Sequence, residues 1–229
     1  MEAYDFVTPT PSTIRRWLAR EAPERPSLRD VFGWGFPFSP ETIDSSVLLA
    51  LEAAGALERS GASARSSLRA ARVQGRLFLH SAFPGAGEEA VFVGPDSYRF
   101  ADFIRREIGK APVRSILDVG VGAGVGAILA QGWSGAATVS ASDLNPAALR
   151  LARANADHAG VPLDARQADG LAGAPRGLDL IVSNPPYVAG VSGRTYKDGG
   201  GDLGEGLALT WAKDALTRLA PGGRLLLYT

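Results

Sequence analysis

No cysteine occurs anywhere in this chain, which excludes disulfides and any thiolate-held metal. Histidine is nearly as scarce. His80 and His158 stand far apart, so neither a zinc nor an iron centre is expected, and no metal site is assigned. Neither sign of charge dominates: 24 basic residues face 24 acidic ones, and the halves on either side of Lys110 are each near neutral. That balance gives no reason to expect nucleic acid or a membrane surface as a partner. No apolar run reaches the length of a bilayer span, and the first residues, acidic and mixed, lack a signal-peptide pattern. A cytoplasmic protein with no membrane association is the expectation. What is present suits a globular fold. Over 229 residues, 45% are hydrophobic and 21% charged, enough for a sizeable core.

The text changes character near Ala111. Before it lie patterns rich in Arg, Glu and Ala. "TPSTIRRWLAR" (residues 10–20) opens on cap residues and carries Ile14, Trp17 and Leu18 at helical spacing. "SPETIDSSVLLALEAAGAL" (39–57) reads as a second helix capped by Ser39 and ending near Gly55. "ASARSSLRAARVQGRLFLHSAF" (62–83) reads as a short helix, a turn at Gly75 and a strand, an order compatible with a winged-helix-like unit. "EAVFVGPDSYRFADFIRREI" (89–108) reads as a strand, a turn and an amphipathic helix.

After Ala111, five short apolar segments alternate with Ala/Leu-rich helical ones. The strands are "RSILDVGVG", "GAATVSASDLN", "PLDARQADG", "GLDLIVSNPP" and "PGGRLLLYT". Pro146 opens the helix after the second strand and Gly160 lies just past its end. This alternation predicts an α/β fold with a doubly wound, mostly parallel, Rossmann-like sheet.

Two features carry chemistry. The first is "DVGVGAGVG" (118–126), where a strand becomes a helix at the carboxyl edge of the sheet. Glycines there turn the backbone sharply and let it approach a ligand. Asp143 closes the second strand, where an acid accepts hydrogen bonds from both ribose hydroxyls of an adenosine. Taken alone, this pair is compatible with a dinucleotide, with S-adenosylmethionine or with a plain turn, because Gly122, Gly124 and Ala127 also satisfy G-x-G-x-x-A. Asp118, two residues before Gly120, is placed to order the turn and to reach the amino group of a methionine moiety. Asp169 ends the third strand where an adenine amino group could be read; as a simple turn residue it has equal standing. The second feature is "SNPPY" (183–187), which ends the fourth strand on an amide, two prolines that cannot donate ladder bonds, and an aromatic ring.

Together, "LDVGVGAG", "ASDLNPAAL", "QADG" and "DLIVSNPPY" resemble the class I S-adenosylmethionine-dependent methyltransferases, in that family's order and spacing, over residues 91–229. The N-P-P-Y signature resembles that of amino-methyltransferases: protein-(glutamine-N5) methyltransferases of release factors, and enzymes that methylate exocyclic amines of nucleobases. The resemblance implies S-adenosyl-L-methionine as cofactor. It places cofactor-binding positions at Asp118, Gly120, Val121, Gly122, Ala123, Gly124, Asp143, Leu144, Asp169, Gly170 and Asn184. It places the catalytic wall at Asn184, Pro185, Pro186 and Tyr187. Residues 91–229 would form the methyltransferase domain. A class I sheet normally continues with further strands, so the fifth strand is expected at an open edge. Residues 1–90 would form a mainly helical substrate-recognition domain. One departure stands out. Release-factor enzymes usually carry Pro-Arg-Pro-x-Thr-Glu before the cofactor motif, and this chain has Gly94, Pro95, Asp96, Ser97 and Tyr98.

An amide or aryl amine is a poor nucleophile because its lone pair is delocalised. The side-chain oxygen of Asn184 and the carbonyl of Pro185 would each accept one N–H and aim the lone pair, while Tyr187 would stack on the flat group. The expected acceptor is a protein glutamine, for example in a translation factor. The alternatives are a nucleobase in RNA or DNA, a cofactor-binding module without turnover, and a dinucleotide oxidoreductase. The acid-free stretch with Arg59, Arg65, Arg69, Arg72 and Arg76 reads more readily as a solvated face than as a phosphate contact. Phe32, Trp34, Phe36 and Phe38 read as packing, and the seven-glycine loop from Gly190 to Gly206 as a lid. The sequence sets no oligomeric state.

Overall fold

The structure, a computed structural model, describes residues 4–82, 87, 89–185 and 206–229. The chain forms two compact units, one of Met1–Gly87 with Phe92–Pro95 and the other of Glu88–Val91 with Asp96–Thr229.

The first unit begins with α1 (Pro11–Leu18), capped by Thr10, whose hydroxyl accepts from the Thr13 N–H at 3.4 Å. A π-helical turn, Arg29–Trp34, ends on Gly35 at φ 83°, and a 3-10 turn spans Pro40–Thr42. Helix α2 covers only Ser45–Ala53, because Asp44 is the cap rather than Ser39 and its carboxylate accepts from Ser46 N at 2.8 Å. The helix expected over the Arg/Ala-rich stretch does not form. That stretch makes two antiparallel hairpins: β1 (Leu57–Ser60) with β2 (Ser63–Ser66), and β3 (Leu68–Val73) with β4 (Arg76–Ser81). Gln74 and Gly75, at φ 49° and 80°, give a two-residue turn whose twist suits a hairpin. The cross-strand register from Leu68↔Ser81 to Val73↔Arg76 then overrides alanine's helix propensity. The mainly helical reading of residues 1–90 thus needs two hairpins added. The strand expected near residues 89–93 is likewise not found among the described residues. The aromatic cluster is packing, as expected. Trp34 stacks on Trp17 at 4.5 Å and meets Phe6 edge-on at 5.1 Å, while Phe36 and Phe38 are buried.

The second unit holds α3 (Pro95–Ile108) and the five expected strands: β5 (Ser115–Val119), β6 (Thr138–Asp143), β7 (Leu163–Gln167), β8 (Leu178–Ser183) and β9 (Leu219–Leu227). The order is β7-β6-β5-β8-β9 and every pair is parallel. Between the strands run α4 (Val125–Ser134), α5 (Pro146–Ala159) and α6 (Gly206–Leu216). β5 and β8 are almost wholly buried, as strands covered on both faces must be. Ile116, Leu117, Leu180 and Ile181 each contribute roughly 1.5–3 kcal/mol by burial. Helix α5 is bounded as its sequence indicates: Asn145 Oδ1 accepts from Ala147 N at 2.9 Å, Pro146 opens the first turn and Gly160 ends it at φ 68°. Arg224 of β9 donates to the carbonyls of Glu107, Ile108 and Ala111, tying the carboxyl end of α3 to the sheet. β9 lies at the edge of this sheet, as expected.

The connection after β5 goes to β6 on one side, while β8 pairs on the other side of β5. A sheet with this reversal opens a crevice at the carboxyl ends of the two strands. Asp118 ends up beside Val182, and Val119 beside Ser183, so the glycine turn after β5 and Asn184–Pro185 after β8 leave the sheet at the same end.

Candidate active site

The turn after β5 is held from below by β6. Both Gly120 N and Val121 N donate to Ser142 O, at 2.9 and 3.0 Å, and Gly124 N closes the turn onto Val121 O at 2.8 Å. Gly120, Gly122 and Gly124 all have positive φ, at 72°, 52° and 86°. Their missing Cβ atoms do different work. At Gly124 a Cβ would press on Ile128 Cδ1 at 3.0 Å and Ala152 Cα at 3.3 Å, so this glycine permits α4 and α5 to pack. At Gly120 it would meet Trp211 Cη2 at 3.2 Å. Only at Gly122 of these three does the position face open space, with no atom within 4 Å. The close approach to a ligand expected of the whole turn therefore narrows to Gly122. Val121 and Ala123 are buried, and the Ala123 carbonyl accepts from Asn155 Nδ2 of α5 at 2.9 Å.

The two acids at this turn differ. Asp143 lies at the rim, half-buried. Its Oδ2 accepts from Gly122 N and its Oδ1 from Asn145 N, both at 2.9 Å. Burial raises its pKa above the ordinary carboxylate range, and the backbone N–H groups oppose that rise. Each oxygen keeps a lone pair for a ribose hydroxyl. Leu144, next to it, is 53% exposed and offers a flat apolar surface. Asp118 is buried under the turn. Its Oδ2 accepts from Ala127 N at 2.7 Å and stands 2.6 Å from where a Cβ of Gly126 would be. Burial pushes its pKa up to about 7, against the Ala127 bond, and the nearby Asp143 charge adds to the rise. The bond from Ala127 N gives Asp118 the turn-ordering part of its expected role. Asp169 is exposed beyond β7, and Gly170, at φ 53°, is buried, with its carbonyl accepting from Ser142 Oγ at 2.7 Å.

Across the crevice, Ser183 anchors the end of β8 through Oγ to Val119 O at 2.8 Å. Asn184 follows. Its Oδ1 is buried and makes no hydrogen bond, the one side-chain oxygen so placed among the described residues. An unsatisfied buried amide oxygen costs about 1–3 kcal/mol, a cost that a donor from a bound molecule would remove. Pro185 is buried. Pro186, Tyr187 and the glycine-rich loop to residue 205 lie outside the described residues.

Residues 101–228 match the family model described as Methyltransferase small domain. The chain belongs to the methyltransferase small domain family. Among its relatives is the release factor glutamine methyltransferase of Cereibacter sphaeroides, 37% identical over 131 residues, covering 51% of this chain and 46% of that protein. The Ribosomal RNA small subunit methyltransferase C of Hahella chejuensis is 36% identical over 115 residues, covering 50% of this chain and 30% of that protein. The chain thus spans less than half the length of these curated relatives. Among solved structures, the T. Thermophilus 16S rRNA N2 G1207 methyltransferase in complex with AdoMet and Guanosine superposes with a TM-score of 0.52 at 19% identity, covering 83% of this chain and 54% of that one. At that identity the likeness is one of fold. Family and fold are those of S-adenosylmethionine-dependent methyltransferases.

The residues present fit that cofactor. Gly122 leaves open space at the turn, Asp143 offers oxygens beside it, and Asn184, just past the end of β8, holds a buried acceptor without a donor. Trp211 is a residue that sequence reasoning missed at this family's turn. Its signal was Ala208, Trp211 and Ala215, a buried stripe at helical spacing along α6.

The basic stretch of the first unit is mostly spent internally. Arg72 donates to Tyr4 O at 2.8 and 3.1 Å and to Gly75 O at 2.6 Å, and Arg59 pairs with Glu52. Arg69 is buried and donates to Trp34 O, while its Nε and Nη1 have no partner. Burial lowers its pKa to about 10. His80, also buried, is pushed down to about 3 by burial and by Arg69. It is therefore neutral at physiological pH, its Nδ1 donating to Ser81 O at 3.0 Å. His158 lies in the last turn of α5. No group of acids or histidines able to hold a metal occurs among the described residues, and no helix among them is long and apolar enough to cross a membrane.

Proposed function

We propose that this chain is an S-adenosylmethionine-dependent N-methyltransferase acting on a planar NH₂, a protein glutamine in the first instance. The observation that carries the reading is the buried, unpartnered Oδ1 of Asn184, in the residue that follows β8 at the switch-point end of the β5–β8 pair. When bound, the cofactor supplies a methyl group activated by its sulfonium. The chain's own residues do the positioning. Asn184 Oδ1 and the Pro185 carbonyl accept the two hydrogens of the amine and orient its lone pair, and Tyr187 stacks on its plane. Asp143 takes the ribose, Leu144 the flank of the adenine, Asp169 the adenine amino group, and Gly122 lets the backbone come close. Asp118 holds the turn and sets its charge near the methionine amino group. Orientation of this kind supplies several kcal/mol of barrier lowering without a strong base.

A glutamine acceptor ranks first because several relatives are release factor glutamine methyltransferases, and because Arg59, Arg69 and Arg72 are engaged within the protein. A nucleobase acceptor is the second reading, supported by the ribosomal RNA relatives. Residues 1–90 serve substrate recognition in either case. The test is tritiated methyl transfer into a cell lysate, split by protease and nuclease. Protease-sensitive label supports glutamine, and nuclease-sensitive label supports the second reading. Asn184→Ala should lower turnover by at least about 100-fold while binding S-adenosylhomocysteine within a few-fold of wild type. Near-normal turnover of that variant would sink the mechanism.

A further inference from the structure

Trp211 stands under the cofactor turns in a way that the reading above does not use. It lies in the middle of α6, 8% exposed, in a cluster with Leu117, Val119, Leu171, Ile181 and Ala215. Its ring touches two separate strand-end turns. The far, six-membered end lies under Gly120, where a Cβ would stand 3.2 Å from Cη2 and 3.3 Å from Cζ3. The near, five-membered end lies under Gly170, where a Cβ would collide with Nε1 and stand 2.9 Å from Cδ1. Both glycines are at positive φ, 72° and 53°, so each turn is conformationally permissive and needs an external support to hold one shape. One rigid side chain supplies that support to both.

We propose that Trp211 is a positioning residue for cofactor binding, a shared buttress that fixes the methionine-side turn at Gly120 and the adenosine-side turn at Gly170 in one geometry. The inference rests on the methyltransferase reading, which assigns the two turns to opposite ends of the same ligand. A rigid bicyclic ring spanning both turns fixes their separation, and a ligand that bridges them binds a preformed site rather than ordering it. In sequence, α6 is also the element that follows "SNPPY" and its loop, so the same ring ties that helix to the floor of the cofactor site.

The geometry separates the two ends. In Trp211→Phe the six-membered ring sits close to Cβ, so contact with Gly170 is kept and the far contact with Gly120 is lost. In Trp211→Ala both are lost. Calorimetric titration of the full chain with adenosine and with S-adenosylhomocysteine reads each end. For Trp211→Phe we expect adenosine affinity within about twofold of wild type and S-adenosylhomocysteine affinity lower by about tenfold, or ~1.4 kcal/mol. For Trp211→Ala both ligands weaken by about tenfold or more. If Trp211→Ala does not fold, the split in Trp211→Phe decides alone. Variants that melt at lower temperature yet bind both ligands as wild type does would reduce Trp211 to ordinary packing and overturn the proposal, as would equal losses for both ligands in Trp211→Phe. If the wild-type chain bound no S-adenosylhomocysteine, the methyltransferase reading would fail first, and this inference with it.

Discussion

Replacing Asp118 by asparagine should make the protein more stable and a poorer cofactor binder, with the stability gain appearing only as pH rises. Asp118 is buried, accepts one hydrogen bond from Ala127 N, and has its pKa raised from 3.8 to about 7. Its folded pKa exceeds the unfolded one, so between these values the unfolded chain binds fewer protons than the folded chain. Stability on account of this group is therefore full below about pH 4, falls as pH rises through 7, and stays low above it. At about 1.4 kcal/mol per unit, the shift corresponds to at most ~4 kcal/mol. Asparagine keeps an oxygen for the Ala127 N–H and never ionises. The difference in unfolding free energy between variant and wild type should be small near pH 4 and should favour asparagine by about 1–4 kcal/mol at pH 8. Urea unfolding at half-unit steps from pH 4 to 9 measures it. The proposed role of Asp118 toward the methionine amino group predicts that affinity for S-adenosylhomocysteine drops in the same variant. A stability difference that does not change with pH would refute the assignment of the titration to Asp118.

Other perturbations test neighbouring parts of the site. Gly126→Ala would place a Cβ 2.6 Å from Asp118 Oδ2 and 2.9 Å from Phe100 Cε1, and should cost about 1–3 kcal/mol in denaturant unfolding. Asp143→Ala removes the acceptor for Gly122 N and, with it, the proposed acceptor for the ribose. Calorimetry should show cofactor affinity lower by at least about tenfold, and unchanged affinity would reject the ribose role. Arg69→Met replaces a buried cation whose Nε and Nη1 are unpaired by an apolar chain of similar reach. Its melting temperature should equal or exceed that of wild type, whereas a clear loss would show that the guanidinium is satisfied by water.

The five strands of the second unit, their order of appearance and the caps of α5 were all legible in the sequence. Each rests on local signals: short apolar runs, Pro146 and Gly160 at helix ends, and prolines that stop a strand. In the first unit the turn at Gly75 and the strand after it were legible, but β1, β2 and β3 were not, because Ala and Arg favour a helix until cross-strand pairing outweighs that preference. The same limit applies to the glycine turn. Sequence marks Gly120, Gly122 and Gly124 as equivalent, all exempt from a Cβ clash. Tertiary structure divides them, since Trp211 fills the space at Gly120, helix packing fills it at Gly124, and only Gly122 is left open to a ligand. Asp118 shows the same division, an acid in the sequence whose burial and single backbone donor raise its pKa to near neutrality. What a residue is comes from the chain, but which atoms occupy the space beside it depends on strands and helices brought together from other parts of the chain, and that is decided only when the sheet closes.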